Sequence, residues 1–253
     1  PRARVYNGDM IKRILALIVL LVFAGFVAVT SWPALFLPSL DFIFESGRFS
    51  DDPDVTQYRQ AVVKIDVVFQ DTQGGPAARL SVGRKSGTGF NIHPDGRIIT
   101  NHHVIADATG ITVSFPNGPT YPAKTWRSKP ELDLAVVELE AAGLPAISPD
   151  WGRKPFIDET VTVIGSPLGL ESIVARGTVA SYVRLESILV PVFEVDATIH
   201  QGNSGSPVIS SDGRVVGVIF GSIRYDQAEG VKTRGLALSL DEAADFIRGK
   251  DDH

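Results

Sequence analysis

The sequence predicts an all-β domain, a barrel or a sandwich, behind one apolar N-terminal segment. Three observations carry this. From Ala61 onward, short runs rich in Val and Ile recur between turn residues, and many short strands at such spacing favour barrels and sandwiches. A helix signal follows them, where Ser239-Leu-Asp-Glu242 reads as a capping box opening a helix that ends near Arg248-Gly249. Ahead of all this, Ile14 to Thr30 runs without a charge.

That apolar run is long enough to cross a bilayer, which takes about 17 to 25 residues. Lys12-Arg13 precedes it and Ser31-Trp32-Pro33 follows. Positive residues hold the N-terminal side in the cytoplasm, and Trp32 suits the far interface. The expectation is a cytoplasmic tail over 1–13, an uncleaved anchor over 14–32 in the inner membrane, and the remainder outside the cytoplasm. A cleaved signal peptide, with Ala28-Val-Thr30 as its site, is the alternative. Residues 1–9 precede the single methionine, Met10. Residues 33–59 read as a linker with Pro33, Pro38, Pro53 and the acidic Asp51, Asp52 and Asp54. Its neighbourhood holds Trp32, Phe36, Phe42, Phe44 and Phe49. These aromatics suit either the lipid interface or a surface for self-association.

The domain proper spans 60–253. The first strand set is Ala61–Phe69, Gly87–Ile92, Arg97–Thr100, Ile111–Phe115 and Leu134–Leu139. His93-Pro-Asp-Gly96 and Pro116-Asn-Gly118 supply hairpin chemistry. Asp150–Phe156 reads as the connection to a second half. There the strands are Thr160–Ile164, Ile173–Leu185, Ile188–Val195, Ser206–Ser210, Arg214–Phe220 and Leu236–Leu238, with Ser211-Asp-Gly213 as a hairpin.

Composition narrows the function. The 253 residues carry a net charge of −5, which does not favour nucleic acid. The absence of cysteine excludes a disulfide scaffold and a thiol nucleophile.

Three segments carry chemistry. Gln201-Gly-Asn-Ser-Gly-Ser-Pro207 places Ser204 in a glycine-flanked turn before an apolar strand. A serine hydroxyl needs a base beside it and donors for the oxyanion it creates. Ile98-Ile-Thr-Asn-His-His-Val104 sets a histidine pair at a strand end, and Glu131-Leu-Asp-Leu-Ala-Val-Val137 sets Asp133 at a strand mouth. The Ser204 segment also reads as an ordinary turn, and each segment alone is a weak signal. Together they give the chain order His, Asp, Ser, which is that of chymotrypsin-type sites and neither that of α/β-hydrolases nor that of subtilisins.

With Ser86-Gly-Thr-Gly-Phe90, Gly165-Ser-Pro-Leu-Gly169, Gly177-Thr-Val-Ala-Ser181 and Asp196-Ala-Thr-Ile-His-Gln-Gly-Asn-Ser-Gly-Ser-Pro207 added, residues from about 60 to 247 resemble the protease domain of the HtrA (Deg) family of trypsin-like serine proteases. The resemblance implies two six-stranded β-barrels, 60–149 and 150–253, closed by the C-terminal helix. It selects His103, Asp133 and Ser204 as the triad. It implies an oxyanion hole at Gly202, Asn203 and Ser204, with the N–H groups of Gly202 and Ser204 as donors. Thr198, Ile199, Ile219 and Gly221 fall where the primary specificity pocket would be lined. None carries a charge, so small to medium apolar side chains are the expected preference.

His102 is read as structural. A metal on His102 and His103 lacks a third ligand of suitable spacing, and no metal or cofactor is expected. His200, Gln201 and Ser206 depart from the family pattern, and so bear on the loop's geometry. HtrA proteins usually carry PDZ domains after the protease domain, whereas His253 directly follows the closing helix. The expected function is a membrane-anchored serine endopeptidase cutting unfolded or misassembled extracytoplasmic proteins, with homo-trimers as the assembly the family suggests. A non-cleaving, chaperone-like peptide binder on the same fold and a regulatory protease with one specific partner are the competing readings.

Overall fold

The computed structural model describes residues 52–70, 82–116, 118–165, 173–197, 199, 202–227 and 230–250, the side chains of 227, 230 and 231 excepted. All belong to one unit, Phe42–His253. The expected anchor over 14–32 lies outside the described residues, as does most of the linker. Among the described residues, no helix is long and apolar enough to cross a membrane.

A helix, α1 (Pro53–Ala61), stands where a linker was expected. Asp52 starts it by accepting from the N–H groups of Asp54 (3.1 Å) and Val55 (3.5 Å), and Pro53 fits the first turn because its missing donor has no partner there. Val55 and Ala61 are buried.

The first half then runs β1 (Val62–Gln70), β2 (Val82–Asn91), β3 (Arg97–Thr100), a helical turn α2 (His102–Ile105), β4 (Ala108–Ser114), β5 (Thr120–Pro122), β6 (Thr125–Lys129), a 3-10 turn Pro130–Leu132 and β7 (Leu134–Glu138). These strands form one antiparallel sheet in the order β5-β4-β1-β2-β3-β7-β6. One face buries Val63, Ile65, Val67, Ile98, Ala135 and Val137, as period-2 alternation requires.

This half is a seven-stranded half-barrel, and the closed six-stranded barrel expected for 60–149 does not form. The two edges approach at the β5–β6 joint. There Ala123 N–H donates to the Ile111 carbonyl (2.9 Å) and Lys124 N–H to the Glu138 carbonyl (2.8 Å). Pro122 ends β5 without a donor, and β5 and β6 do not pair with each other.

The second half is a closed six-stranded barrel, as the resemblance implied. It comprises β8 (Thr160–Gly165), β9 (Ile173–Val183), β10 (Val192–Asp196), β11 (Pro207–Ser210), β12 (Val215–Gln227) and β13 (Gly230–Ser239), in the order β10-β13-β12-β11-β8-β9. The β12–β13 hairpin extends well past the apolar runs that announced it. Its outer part pairs polar residues, Arg224 with Thr233 and Tyr225 with Lys232.

Helix α3 (Leu240–Arg248) closes the chain. Its predicted capping box does not form. Among the described residues the Ser239 hydroxyl is buried without a partner, and Glu242 pairs with Lys154 instead. Gly249 ends the helix at φ 73°, and Lys250 N–H reaches back to the Asp245 carbonyl (2.9 Å). Arg127 of β6 donates to the Ile247 carbonyl at 3.0 Å, tying the helix to the first half. One core cluster joins both halves, with Phe90, Ile99 and Leu134 from the first and Ile209, Val218, Leu238 and Ile247 from the second.

Candidate active site

Strand β3 carries the chain to the first site residue. Ile98 and Ile99 are fully buried and β3 pairs with β7, Thr100 opposite Ala135. The chain then turns into α2. Two donors at that turn, Asn101 Nδ2 (3.0 Å) and His102 N–H (3.1 Å), meet the Asp133 carbonyl. Asp133 ends the 3-10 turn in the left-handed region at φ 47°, its own N–H bonded to the Pro130 carbonyl at 3.0 Å. Aspartate tolerates this conformation better than most residues.

The Asp133 carboxylate faces His103 with both oxygens. Oδ1 accepts from the His103 backbone N–H at 2.9 Å and Oδ2 meets His103 Nδ1 at 2.7 Å. A carboxylate only accepts, so Nδ1 carries the proton and Nε2 of the neutral ring is left as a base. The His103 side chain is 48% exposed and the Asp133 side chain 17%, so the carboxylate stands behind an accessible imidazole. His102 turns elsewhere, its Nδ1 lying 2.9 Å from the Ser128 hydroxyl.

Ser204 sits in the second half, in a loop sewn to the first. Thr88 N–H donates to the Ser204 carbonyl (3.1 Å) and Thr88 Oγ1 to the Gly202 carbonyl (2.8 Å). Thr100 Oγ1 donates to the Thr88 carbonyl at 2.7 Å, and Gly205 N–H to the Ile219 carbonyl at 2.8 Å. The strand end that leads to His103 and the loop that holds Ser204 therefore share one hydrogen-bonded chain. Among the described residues, no hydrogen bond joins the Ser204 hydroxyl to the His103 ring. Such bonds are often long before substrate arrives.

Gly202 (φ 98°) and Gly205 (φ 86°) take conformations that L side chains rarely adopt. A Cβ on Gly205 would stand 1.9 Å from the Thr88 carbonyl oxygen and 2.6 Å from Thr100 Oγ1. Gly205→Ala is therefore expected to break the seam between the halves and to cut activity at least about a hundredfold, since small misplacements of a reacting group have that cost. Kinetics on the folded variant check this, and an undiminished rate would contradict the seam. Asn203 points inward, only 4% exposed. Its Oδ1 and Ser206 Oγ are buried without a partner among the described residues, both crowding Gly165.

The expected specificity residues separate. Thr198 lies outside the described residues. Ile199 is 7% and Ile219 0% exposed, and both belong to the barrel's core cluster. Gly221 is half-buried, with nothing within 4 Å of where its Cβ would stand. A register shift between Ile219 and Gly221 separates the two environments. Thr88 and Thr100 were not anticipated as site residues. Their signal was present, since each is a hydroxyl flanked by buried positions within a motif of the sequence.

Behind Gly221, the outer hairpin is pinned by Glu194 of β10, which is 1% exposed. Its carboxylate accepts from Arg234 Nη1 (2.7 Å) and from the Tyr225 hydroxyl. Burial pushes the Glu194 carboxyl up, but the bonds from Tyr225, Arg234 and Ser181 together outweigh it and hold the group below its ordinary 4.5. A lowered folded value means stability that is present above 4.5 and lost as pH falls through the folded value. Thermal melts from pH 6 down to about pH 3 should thus show a component that Glu194→Gln removes. Parallel curves for both proteins would contradict this.

Residues 87–218, a little over half of the 253, match the family described as "Trypsin-like peptidase domain". The "Probable periplasmic serine endoprotease DegP-like" of Chlamydia muridarum (strain MoPn / Nigg) is 37% identical over 135 residues, 52% of this chain and 27% of that protein. A protein of the same description from Hahella chejuensis (strain KCTC 2396) is 34% identical over 188 residues, 73% of this chain and 40% of that protein. The active form of the Rv3671c protease from M. tuberculosis has the same fold, with a TM-score of 0.64 at 26% identity, covering 79% of this chain and 85% of that one. The chain spans between 27% and 40% of the length of those two curated relatives. With the family match extending over more than half of its residues, the chain belongs to the trypsin-like peptidases and is a homologue of DegP-like serine endoproteases.

Proposed function

We propose that this protein is a serine endopeptidase with His103, Asp133 and Ser204 as its triad. The observation that carries the reading is the double grip of Asp133 on His103, at 2.9 Å to the backbone and 2.7 Å to the ring. Ser204 Oγ attacks the peptide carbonyl while His103 Nε2 takes its proton. The N–H groups of Gly202 and Ser204 stabilise the oxyanion, with Asn203 fixing the loop between them. His103 then protonates the leaving amine, and water releases the acyl group by the same steps in reverse. Asp133 holds the tautomer and stabilises the imidazolium throughout.

The substrates under this reading are unfolded or misassembled proteins outside the cytoplasm. The relatives' description as periplasmic endoproteases supports it. Ile14–Thr30 behind Lys12-Arg13 tethers the domain to the inner membrane, and the aromatics of the linker serve self-association, in trimers as the HtrA resemblance suggests. Cleavage of casein by the full chain, compared with native folded proteins of similar size, tests the substrate class. Preferential cutting of the unfolded chain is expected. Cleavage of one native partner alone would indicate a regulatory protease, and binding without cleavage a chaperone-like protein.

A further inference from the structure

Strand β2 carries a second contact to the site, independent of the Thr88 seam. Lys85 Nζ donates to two carbonyl oxygens of the α2 turn, those of His103 and Ala106, each at 2.9 Å. We propose that Lys85 is a positioning residue for His103: its ammonium holds the carbonyl end of α2 and so fixes the imidazole against Asp133. This rests on the peptidase reading above.

The turn needs such support. α2 has four residues, too few to stabilise themselves as a helix, and the last carbonyls of any helix lack partners within it. A cation is the favoured group at that end. Lys85 bonds the carbonyls at the beginning and end of the stretch 103–106, which clamps the turn as a unit. His103 is thereby held at three points: its N–H and its ring by Asp133, its carbonyl by Lys85. Two residues along β2 on the same face, Gly87 makes room for the turn, since a Cβ there would stand 2.8 Å from Val104 Cγ1. The next residue, Thr88, holds the Ser204 loop. One short stretch of β2 thus sets both the base and the nucleophile, which come from different halves of the molecule.

The lysine is itself held. Its ammonium lies 5.6 Å from the centroid of the Phe69 ring. The charged and titratable groups on the elements around it are Lys64 and Asp66 of β1, paired at 3.0 Å, Arg84 of β2, Arg97 of β3, paired with Glu138 at 3.0 Å, the α2 histidines, and Asp107 just past the turn. Burial pushes the Lys85 ammonium below the ordinary lysine value, with Asp107 opposing. The clamp therefore loses its charge in the alkaline range, earlier than a solvated lysine would.

The test is steady-state hydrolysis of a fluorogenic peptide by the full chain, from about pH 7 to 10.5, with wild type, Lys85→Met and Lys85→Arg. At neutral pH, Lys85→Met should lower kcat about tenfold, the scale of one charge-assisted hydrogen bond, with KM nearly unchanged. Lys85→Arg should recover most of that loss. Wild-type kcat should decline toward the methionine variant at alkaline pH, while the arginine variant, which stays charged, should not. A methionine variant with wild-type kcat, a defect confined to KM, or an arginine variant no better than methionine would overturn the proposal. If Lys85→Met does not fold, the alkaline limbs of wild type and Lys85→Arg decide alone, and identical limbs overturn it. Labelling of each protein by a fluorophosphonate runs in parallel. A wild type that neither labels nor hydrolyses removes the peptidase reading and this proposal with it. An active wild type beside an equally active Lys85→Met removes this proposal only.

Discussion

Replacing Ser204 with alanine should lower kcat/KM by roughly four to six orders of magnitude, the scale seen when a triad nucleophile is removed, while the unfolding midpoint stays near the wild-type value. The fold does not depend on the hydroxyl. The loop is held through the Ser204 carbonyl and through the glycines on either side, by Thr88 and Ile219. Residual turnover would come from the oxyanion donors and binding alone. His103→Ala should be comparably damaging, whereas His102→Ala loses the side-chain bond to Ser128 and should keep most activity. Reversal of that order would exchange the two histidines' roles.

Asp133→Asn should lower kcat by about three to four orders of magnitude with little change in KM. The carboxylate accepts twice from His103. An amide has one acceptor and one donor head. If its oxygen keeps the backbone N–H, its NH₂ faces Nδ1 and moves the ring proton to Nε2, where the base is needed. The backbone of the turn should survive, because the Asp133 carbonyl still accepts from Asn101 and His102. A ring-nitrogen NMR spectrum of the folded variant would read the tautomer directly. Wild-type kcat with the original tautomer would contradict the role.

The site was more legible than the frame around it. His103, Asp133 and Ser204 stand at ends of apolar strands, and such strands announce themselves by Val and Ile. β3 begins and ends at the residues its pattern marked, Arg97 and Thr100. β5 (Thr120–Pro122) and β6 (Thr125–Lys129) were missed because their residues are largely polar and none is fully buried, as edge strands tolerate. The open first half follows from these same edges. α1 was missed although Asp52-Pro53 is a fair helix start, since prolines and acids also suit a linker. The specificity residues were placed by resemblance, which does not specify side-chain direction. Ile219 belongs to the core cluster, and a register shift separates it from Gly221. Lys85 could not have been singled out, because its partners His103 and Ala106 lie 18 and 21 residues away in the chain.

The site of covalent modification identifies the nucleophile. The full chain is treated with a fluorophosphonate, digested, and the adduct located by mass spectrometry. One adduct is expected, on Ser204, absent from Ser204→Ala and strongly reduced in His103→Ala. An adduct on another residue, or a folded wild type that stays unlabelled, would contradict it.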